Sequence, residues 1–527
     1  MNGHFESLSG FDKDIVKQLL FPRKLSSDPV ENINFEKPMK SSAHPLTISG
    51  SIIMQHKFKL ATLSSLLCAN AFATPVYQPP GPNLTYGSSS NNQSIMSSVA
   101  NPAAPAAQLG KEDSQYRFGI IHIGGGYEIG NVNDLFNQVD KAATDIKTPI
   151  TTAELATLVD PNPAIFATNI ANFINTSTAT ATLNNVLNSV QQDGNATLFF
   201  GGHVPLTPFV ISRKGWGGSF VLDANVSAIA NGSFISDPFN ISNTTATAFA
   251  NAYIANPLAP NLPIPPNDST MLVKAAAVAE LGLGYSRSVL RREAPEPVEG
   301  EPTPGKLSAS QLKAGELTAG GRVKFYQVGL ANMAASLTSM QEGSQDVLKD
   351  DLTYTKSTGF GLDVGALWTS KHYRAGAWVN NLNSPSFKYP AINTTGYTNT
   401  AVIAQLNTGM TYTMKPQLQL EGAVYSESQN FVVNLGLDAN AVPDPVGRDF
   451  QWMTLSGAYA TSSWWIPGAR VGYRSNLAGS KLSYVTAGLT MFKALSLDIA
   501  YGLDKLTYEG NSIPRSAMIN LGLQMTF

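Results

Sequence analysis

The chain has 527 residues, a formal net charge of −2, 14% charged residues and 43% hydrophobic residues. It has no basic excess to attract nucleic acid and no acidic block to act as a solvating tail. No stretch approaches the ~18–20 unbroken apolar residues of a spanning helix, so any crossing of a membrane must be made with strands.

From Met54 the chain reads MQHKFKLATLSSLLCANAFATPVYQPPG. Lys57 and Lys59 form a short basic region, Leu60 to Ala69 an apolar core, and Ala71-Phe72-Ala73 a small-x-small cleavage site before Thr74. That is the three-part plan of a secretory signal peptide, over residues 54–73. Residues 1–53 then read as a non-native upstream extension. The only cysteine, Cys68, lies inside the signal, so the cleaved chain is expected to lack disulfides and thiol chemistry.

Residues 74–115 are rich in Pro, Gly, Ser and Asn and read as an irregular arm or plug, with NPAAPAA at 101–107. A first strand follows at about 116–130 (QYRFGIIHIGGGYEI), whose Gly124 to Gly126 permit a bend or close approach. Residues 131–193 change character. DLFNQVDKA, AELATLV, IFATNIANFI and TATLNNVLNSVQQ space apolar residues at three and four, which predicts a helical insertion.

After Asn195 a two-residue alternation dominates. FVLDANVSAIA sets Phe220, Leu222, Ala224, Val226 and Ala228 against Asp223, Asn225 and Ser227. AAAVAELGLGY sets Ala277, Ala279, Leu281, Leu283 and Tyr285 against Glu280. GFGLDVGALWT sets Phe360, Leu362, Val364, Ala366 and Trp368 against Asp363. VIAQLNTGMTYTM reads as another strand, with Val402, Ala404, Leu406, Met410, Tyr412 and Met414 on its apolar face. ALSLDIAYGLD sets Leu495, Leu497, Ile499 and Tyr501 against Asp498. Residues 231–270 and 286–320 read as long polar connections, the second disordered around RREAPEPVEGEPTPGK. The end of the chain alternates to its last residue, with Ile519, Leu521, Leu523, Met525 and Phe527 apolar.

The polar faces are Gly, Ser, Asn and isolated charges, and aromatics fall near the ends of the apolar stripes. A barrel in lipid wants that arrangement, with an apolar outside, a polar lumen and aromatic girdles. It must also close, because an open edge would leave backbone groups unpaired in hydrocarbon. The sequence therefore predicts an all-β fold, a transmembrane antiparallel β-barrel of about 14 strands spanning 116–527. The last strand pairs with the first, and Leu521, Leu523, Met525 and Phe527 form the closing signal offered to lipid and to the barrel-assembly machinery. Asp223, Glu280, Asp363, Arg374, Glu421, Arg470 and Asp498, with Arg474, are predicted to face the lumen, as a salt-bridged filling or a ligand-orienting site.

NPAA at 101–104 resembles the Asn-Pro-Ala element of the amino-terminal hatch in long-chain fatty-acid transporter-like barrels, which implies a hatch role for Asn101, Pro102 and Ala103. GLDVGALWTSKHYRAGAWVNNLNSPSF at 361–387 is similar to the paired strands of the outer-membrane family of plasmid-transfer-operon TraF proteins, relatives of those transporters. ARVGYRSNLAGS at 469–480 extends the resemblance, which covers about residues 83–527. It implies a plugged barrel in a bacterial outer membrane. Its work would be passive transport of hydrophobic small molecules, or an envelope role among conjugation proteins. The same name labels a thioredoxin-like protein with a Cys-x-x-Cys motif, which this chain lacks. No Gly-x-Ser-x-Gly occurs, and His122, His203 and His372 are scattered with no metal-ligand spacing. Neither an enzyme, a metal nor a cofactor is expected.

Overall fold

A computed structural model describes residues 83–134, 137–138, 152–256, 267–293, 313–336, 353–459, 463–508 and 510–526, apart from 88, 90–93 and 109–113. Ala71, Ala73, Thr74 and Phe527 lie outside the described residues, as do the signal segment and residues 1–53. Three short helices come first: α1 (Asn83–Tyr86), α2 (Ser97–Ala100) and α3 (Ala104–Gln108). After β1 (Ser114–Ile129) come α4 (Thr152–Leu158), α5 (Pro163–Thr176) and α6 (Thr178–Asp193). Then follow β2 (Asn195–His203), β3 (Phe209–Arg213), β4 (Gly218–Ile235), α7 (Asn243–Ala255), β5 (Thr270–Arg292), β6 (Gly315–Ser336), β7 (Thr353–Thr369) and β8 (Tyr373–Asn380). The strands β9 (Ser386–Lys388) and β10 (Thr411–Thr413) pair as a small hairpin around α8 (Thr400–Leu406). The wall resumes with β11 (Gln417–Tyr425) and β12 (Phe431–Asp438), followed by a second hairpin of β13 (Val442–Pro443) and β14 (Asp449–Phe450). It ends with β15 (Trp452–Tyr459), β16 (Gly468–Asn476), β17 (Ser483–Met491), β18 (Leu495–Gly502), the hairpin of β19 (Lys505–Tyr508) and β20 (Asn511–Pro514), and β21 (Ser516–Thr526).

The main sheet closes. Its order is β2-β1-β21-β18-β17-β16-β15-β12-β11-β8-β7-β6-β5-β4-β3, and β2 and β3 each pair with both β1 and β4. They are two halves of one stave, so fifteen strands make a fourteen-staved barrel with every pairing antiparallel. The last strand meets the first from Glu128↔Ser516 to Arg117↔Thr526, so no ladder edge is left in hydrocarbon. The two halves of the shared stave are separated by Val204–Pro208, where Leu206 takes a φ of 69° and points outward.

Both ends of the wall sequence lie at one mouth of the barrel. At that terminal mouth four turns are short, at 214–217, 370–372, 426–430 and 492–494, while residues 460–467 join β15 to β16 and residues 293–314 join β5 to β6. At the opposite mouth the connections are long and carry α4–α8 and the three hairpins. Outward positions are apolar and exposed, including Ile499, Ile519, Val471 and Leu435, while their neighbours Asp498, Asn520, Arg470 and Asn434 are buried. An aromatic belt rings the terminal mouth. Tyr116 stacks on Phe209, Phe220 lies between Trp216 and Tyr285, Phe431 meets Tyr459, and Phe492 meets Trp464 and Trp465. Amphipathic rings favour the bilayer interface, which sets one edge of the spanning band here.

The staves β4 to β7 run 17 to 23 residues, well beyond the ~9–11 needed to span. Along β4 the burial alternates to Ser227 and then becomes nearly continuous to Ile235. Beyond that point both faces are covered. Phe234 joins Phe166, Ile170, Ile174, Leu187, Phe239 and Phe249 in a core shared by α5, α6 and α7. Asn162, Ser177 and Ser242 cap α5, α6 and α7 by accepting from Ala164, Thr180 and Thr245 backbone N–H groups. Asn184 and Asn175 each exchange two hydrogen bonds with the backbone of Phe239 and Ile241, tying the layer to the wall's extension.

Several predicted boundaries need correction. Residues 402–414 are not a wall strand: 400–406 is α8, and only 411–413 is extended. Val402 and Leu406 are four apart, so they share a helix face as readily as a strand face, and both are buried against Ile235 and Leu272. Ala277 is buried rather than lipid-facing, because β5 has risen above the spanning band there. Residues 286–292 and 315–320, expected to be loop, complete β5 and β6 and pair across Arg292↔Gly315. The connection between β4 and β5 contains α7.

Candidate functional site

The inward faces of the staves surround residues 83–108, and wall charges grip that segment. Arg470 and Asp498 are paired, with Arg470 Nε 2.8 Å from Asp498 Oδ1. Thr85 donates its hydroxyl to the same carboxylate, and Arg470 lies 5.6 Å over the Tyr86 ring. Arg474 donates to the Leu84 carbonyl at 3.2 Å and rests 4.0 Å over Trp452. On the other side of the lumen Asn101 Nδ2 donates to Glu421 Oε1 at 3.2 Å, while Arg374 sits 5.8 Å over Tyr425. Arg322 Nη1 donates to the Val99 carbonyl at 2.6 Å, and Thr318 to the Ala103 carbonyl at 3.0 Å.

The NPA element fits into the wall by close backbone approach. A Cβ on Gly320 would lie 2.1 Å from the Pro102 carbonyl oxygen, and one on Gly365 would lie 2.5 Å from Asn101 Oδ1. Asn101 Oδ1 also accepts from the Ala103 N–H at 2.9 Å, closing a local turn into α3. Asn101, Pro102 and Ala103 therefore lie against β6 and β7 near the terminal mouth.

Asp223, Glu280 and Asp363 converge from β4, β5 and β7 into one cluster, buried to 1%, 3% and 1% exposure. Two cations that the sequence reading did not single out stand between them on β6. Arg322 donates to Asp363 Oδ2 at 2.8 and 3.1 Å, and Lys324 lies 2.9 Å from Asp363 Oδ1. Lys324 is 4.0 Å from Glu280 Oε2, and His203 Nε2 is 3.3 Å from Asp223 Oδ1. His122 and His203, 81 positions apart in the chain, pair directly across β1 and β2 with ring centroids 6.0 Å apart. No local signal marks that meeting, which depends on the register set by the closed sheet. Among the described residues no group of three or more His, Cys, Asp or Glu could hold a metal ion.

Above residues 83–108 lies a cavity of about 210 Å³. Its floor is Gly87, Met96, Val99 and Ala100, and its sides include His203, Asp223, Val278, Glu280, Tyr326, Trp452 and Arg474. Its roof comes from the two lumen hairpins, through Tyr412, Met414, Val442, Pro443 and Phe450. The β13–β14 hairpin reaches across the barrel: Arg448 pairs with Glu128 of β1 at 2.9 Å, and Tyr389 donates to the Pro445 carbonyl at 2.5 Å. At its tip, burial pushes the Asp444 carboxyl up to about 7, outweighing the Arg448 N–H and charge beside it.

Residues 98–295 and 307–438 match the family described as F plasmid transfer operon, TraF, protein. No curated protein matches the sequence. Among solved structures, the TodX monoaromatic hydrocarbon channel deltaS2 mutant is similar with a TM-score of 0.38 and 11% identity, covering 86% of this chain and 98% of that one. A Pseudomonas aeruginosa FadL homologue gives 0.31 and 10%, covering 87% and 99%. The Ralstonia pickettii toluene transporter TbuX gives 0.32 and 9%, covering 87% and 98%.

Proposed function

The chain belongs to the family of F plasmid transfer operon TraF proteins, and from that premise we propose that it is a bacterial outer-membrane barrel passing small hydrophobic or amphipathic molecules. The observation that carries this reading is the roofed lumen cavity, lined in part by Met, Val, Tyr, Phe and Trp side chains, which reaches the wall at His203. His203 ends β2, so the cavity abuts the interruption at Val204–Pro208. Bonds cross it from the Val204 N–H and the Thr207 hydroxyl to the Ala224 carbonyl, and from the Gly119 N–H to the Pro208 carbonyl. A solute held in the cavity has its shortest path to lipid through that weakened stave, and no catalysis is required. Residues 83–108 act as the hatch, and the connections that carry α4–α8 lie at the mouth opposite the ends of the wall sequence.

Cells carrying the intact barrel should take up aromatic hydrocarbons or long-chain fatty acids faster than cells without it. Equal uptake across such a panel would remove the transport reading. The family and the helical layer of α4–α7, which has its own core, favour a second reading as an interaction platform for conjugation proteins. Under it, deleting residues 152–193 should abolish a co-purifying envelope partner while the barrel stays folded.

A further inference from the structure

Of the three cluster carboxylates, Glu280 alone has no hydrogen bond to either oxygen. Asp363 engages both Arg322 and Lys324, and Asp223 is held by His203 Nε2 and by Asn225 Nδ2 at 2.9 Å. Neither oxygen of Glu280 has a hydrogen-bond partner, although its side chain is 1% exposed and lines the cavity. Its nearest cation, Lys324, stands 4.0 Å away and is already committed to Asp363. A buried acceptor left without a donor is costly, and a buried carboxylate more so.

Val278, Tyr326 and Trp452 line the same cavity as Glu280, together with the cations Arg322, Lys324, Lys415 and Arg474. Its volume of about 210 Å³ exceeds the ~150 Å³ cavity that encloses a benzene, which leaves room for one ring with a short side chain. We propose that this cavity is a binding site for a small aromatic amine, its ring against Tyr326 and Trp452 and its ammonium group donating to Glu280. The ammonium supplies the charge-assisted hydrogen bonds that both Glu280 oxygens lack. This rests on the reading of the lumen as a solute path and specifies what that path selects.

The test uses the purified full-length barrel in lipid nanodiscs and three probes that share one body: 2-phenylethylamine, ethylbenzene and 3-phenylpropionate. Calorimetry near pH 7 should show the amine binding at least about tenfold more tightly than ethylbenzene, with the carboxylate weakest. Glu280→Gln should erase the amine's advantage and leave ethylbenzene binding within about twofold. Equal affinities, a preference for the carboxylate, no binding of the amine, or an advantage that survives Glu280→Gln would each overturn the proposal. If Glu280→Gln does not fold, the ranking on the unaltered chain decides by itself. Ethylbenzene uptake by cells separates the two claims. Uptake without amine preference overturns the site alone, and amine preference without uptake overturns transport alone.

Discussion

Gly320 shows how one missing carbon seats the amino-terminal segment. A Cβ there would meet Pro102 oxygen at 2.1 Å and Pro102 carbon at 2.6 Å, both backbone atoms that cannot swing aside. Gly320→Val should therefore lift the NPA turn from the wall while the barrel, held by its ladders, still closes. Planar-bilayer recordings should show raised steady conductance with unchanged heat-modifiable gel mobility. Parental conductance would mean that the turn does not seal the lumen. Asp444 gives a pH dependence with a definite sign. In the folded chain its carboxyl titrates at about 7, against about 3.9 for an unfolded aspartate. Between those values the native state holds a proton that the unfolded chain releases, so stability falls as pH rises through that window. The unfolding midpoint should decline from about pH 4.5 to 7.5, and Asp444→Asn should flatten that decline. An unchanged slope in the variant would place the titration elsewhere.

The staves carry their own instructions because each must satisfy two solvents at once. Ile519 is 56% exposed and Asn520 3%, on consecutive residues of β21. Ile519→Lys should damage assembly by about 2–4 kcal/mol if it lies near mid-bilayer, whereas Asn520→Ser should be tolerated. Heat-modifiable mobility of envelope fractions reads both, and equal tolerance would count against lipid contact on that face. The same alternation makes β4, β7, β18 and β21 legible in the sequence, together with the closure of β21 on β1. The alternation failed in two places, each for a physical reason. At 402–414 the spacing of Val402 and Leu406 satisfies both a helix and a strand, and tertiary burial chooses the helix. Above the spanning band the rule itself lapses, since β4 to β6 are covered on both faces and Ala230, Ala275 and Ala331 pack together. The lumen was only partly readable. Asp223, Glu280 and Asp363 sit on alternating stretches, but Arg322 and Lys324 do not flank an apolar stripe strong enough to mark them. Their partnership depends on the β6–β7 register, Arg322↔Asp363.

At the scale of the whole molecule the barrel is a fixed sleeve around a segment that belongs to neither wall nor solvent. Deleting residues 83–108 should leave the fourteen staves closed, because their ladders are complete without that segment, and should convert a quiet channel into one with large steady conductance. A deletion that fails to assemble would show instead that the gripped charges, Arg470 with Asp498 and Arg374 near Glu421, need the segment in order to be buried. The even number of staves has a mechanical consequence. It returns the start of β1 to the same mouth as the end of β21, and only residues 109–113 join α3 to the first stave. A segment withdrawn at the terminal mouth would stay joined to β1 there.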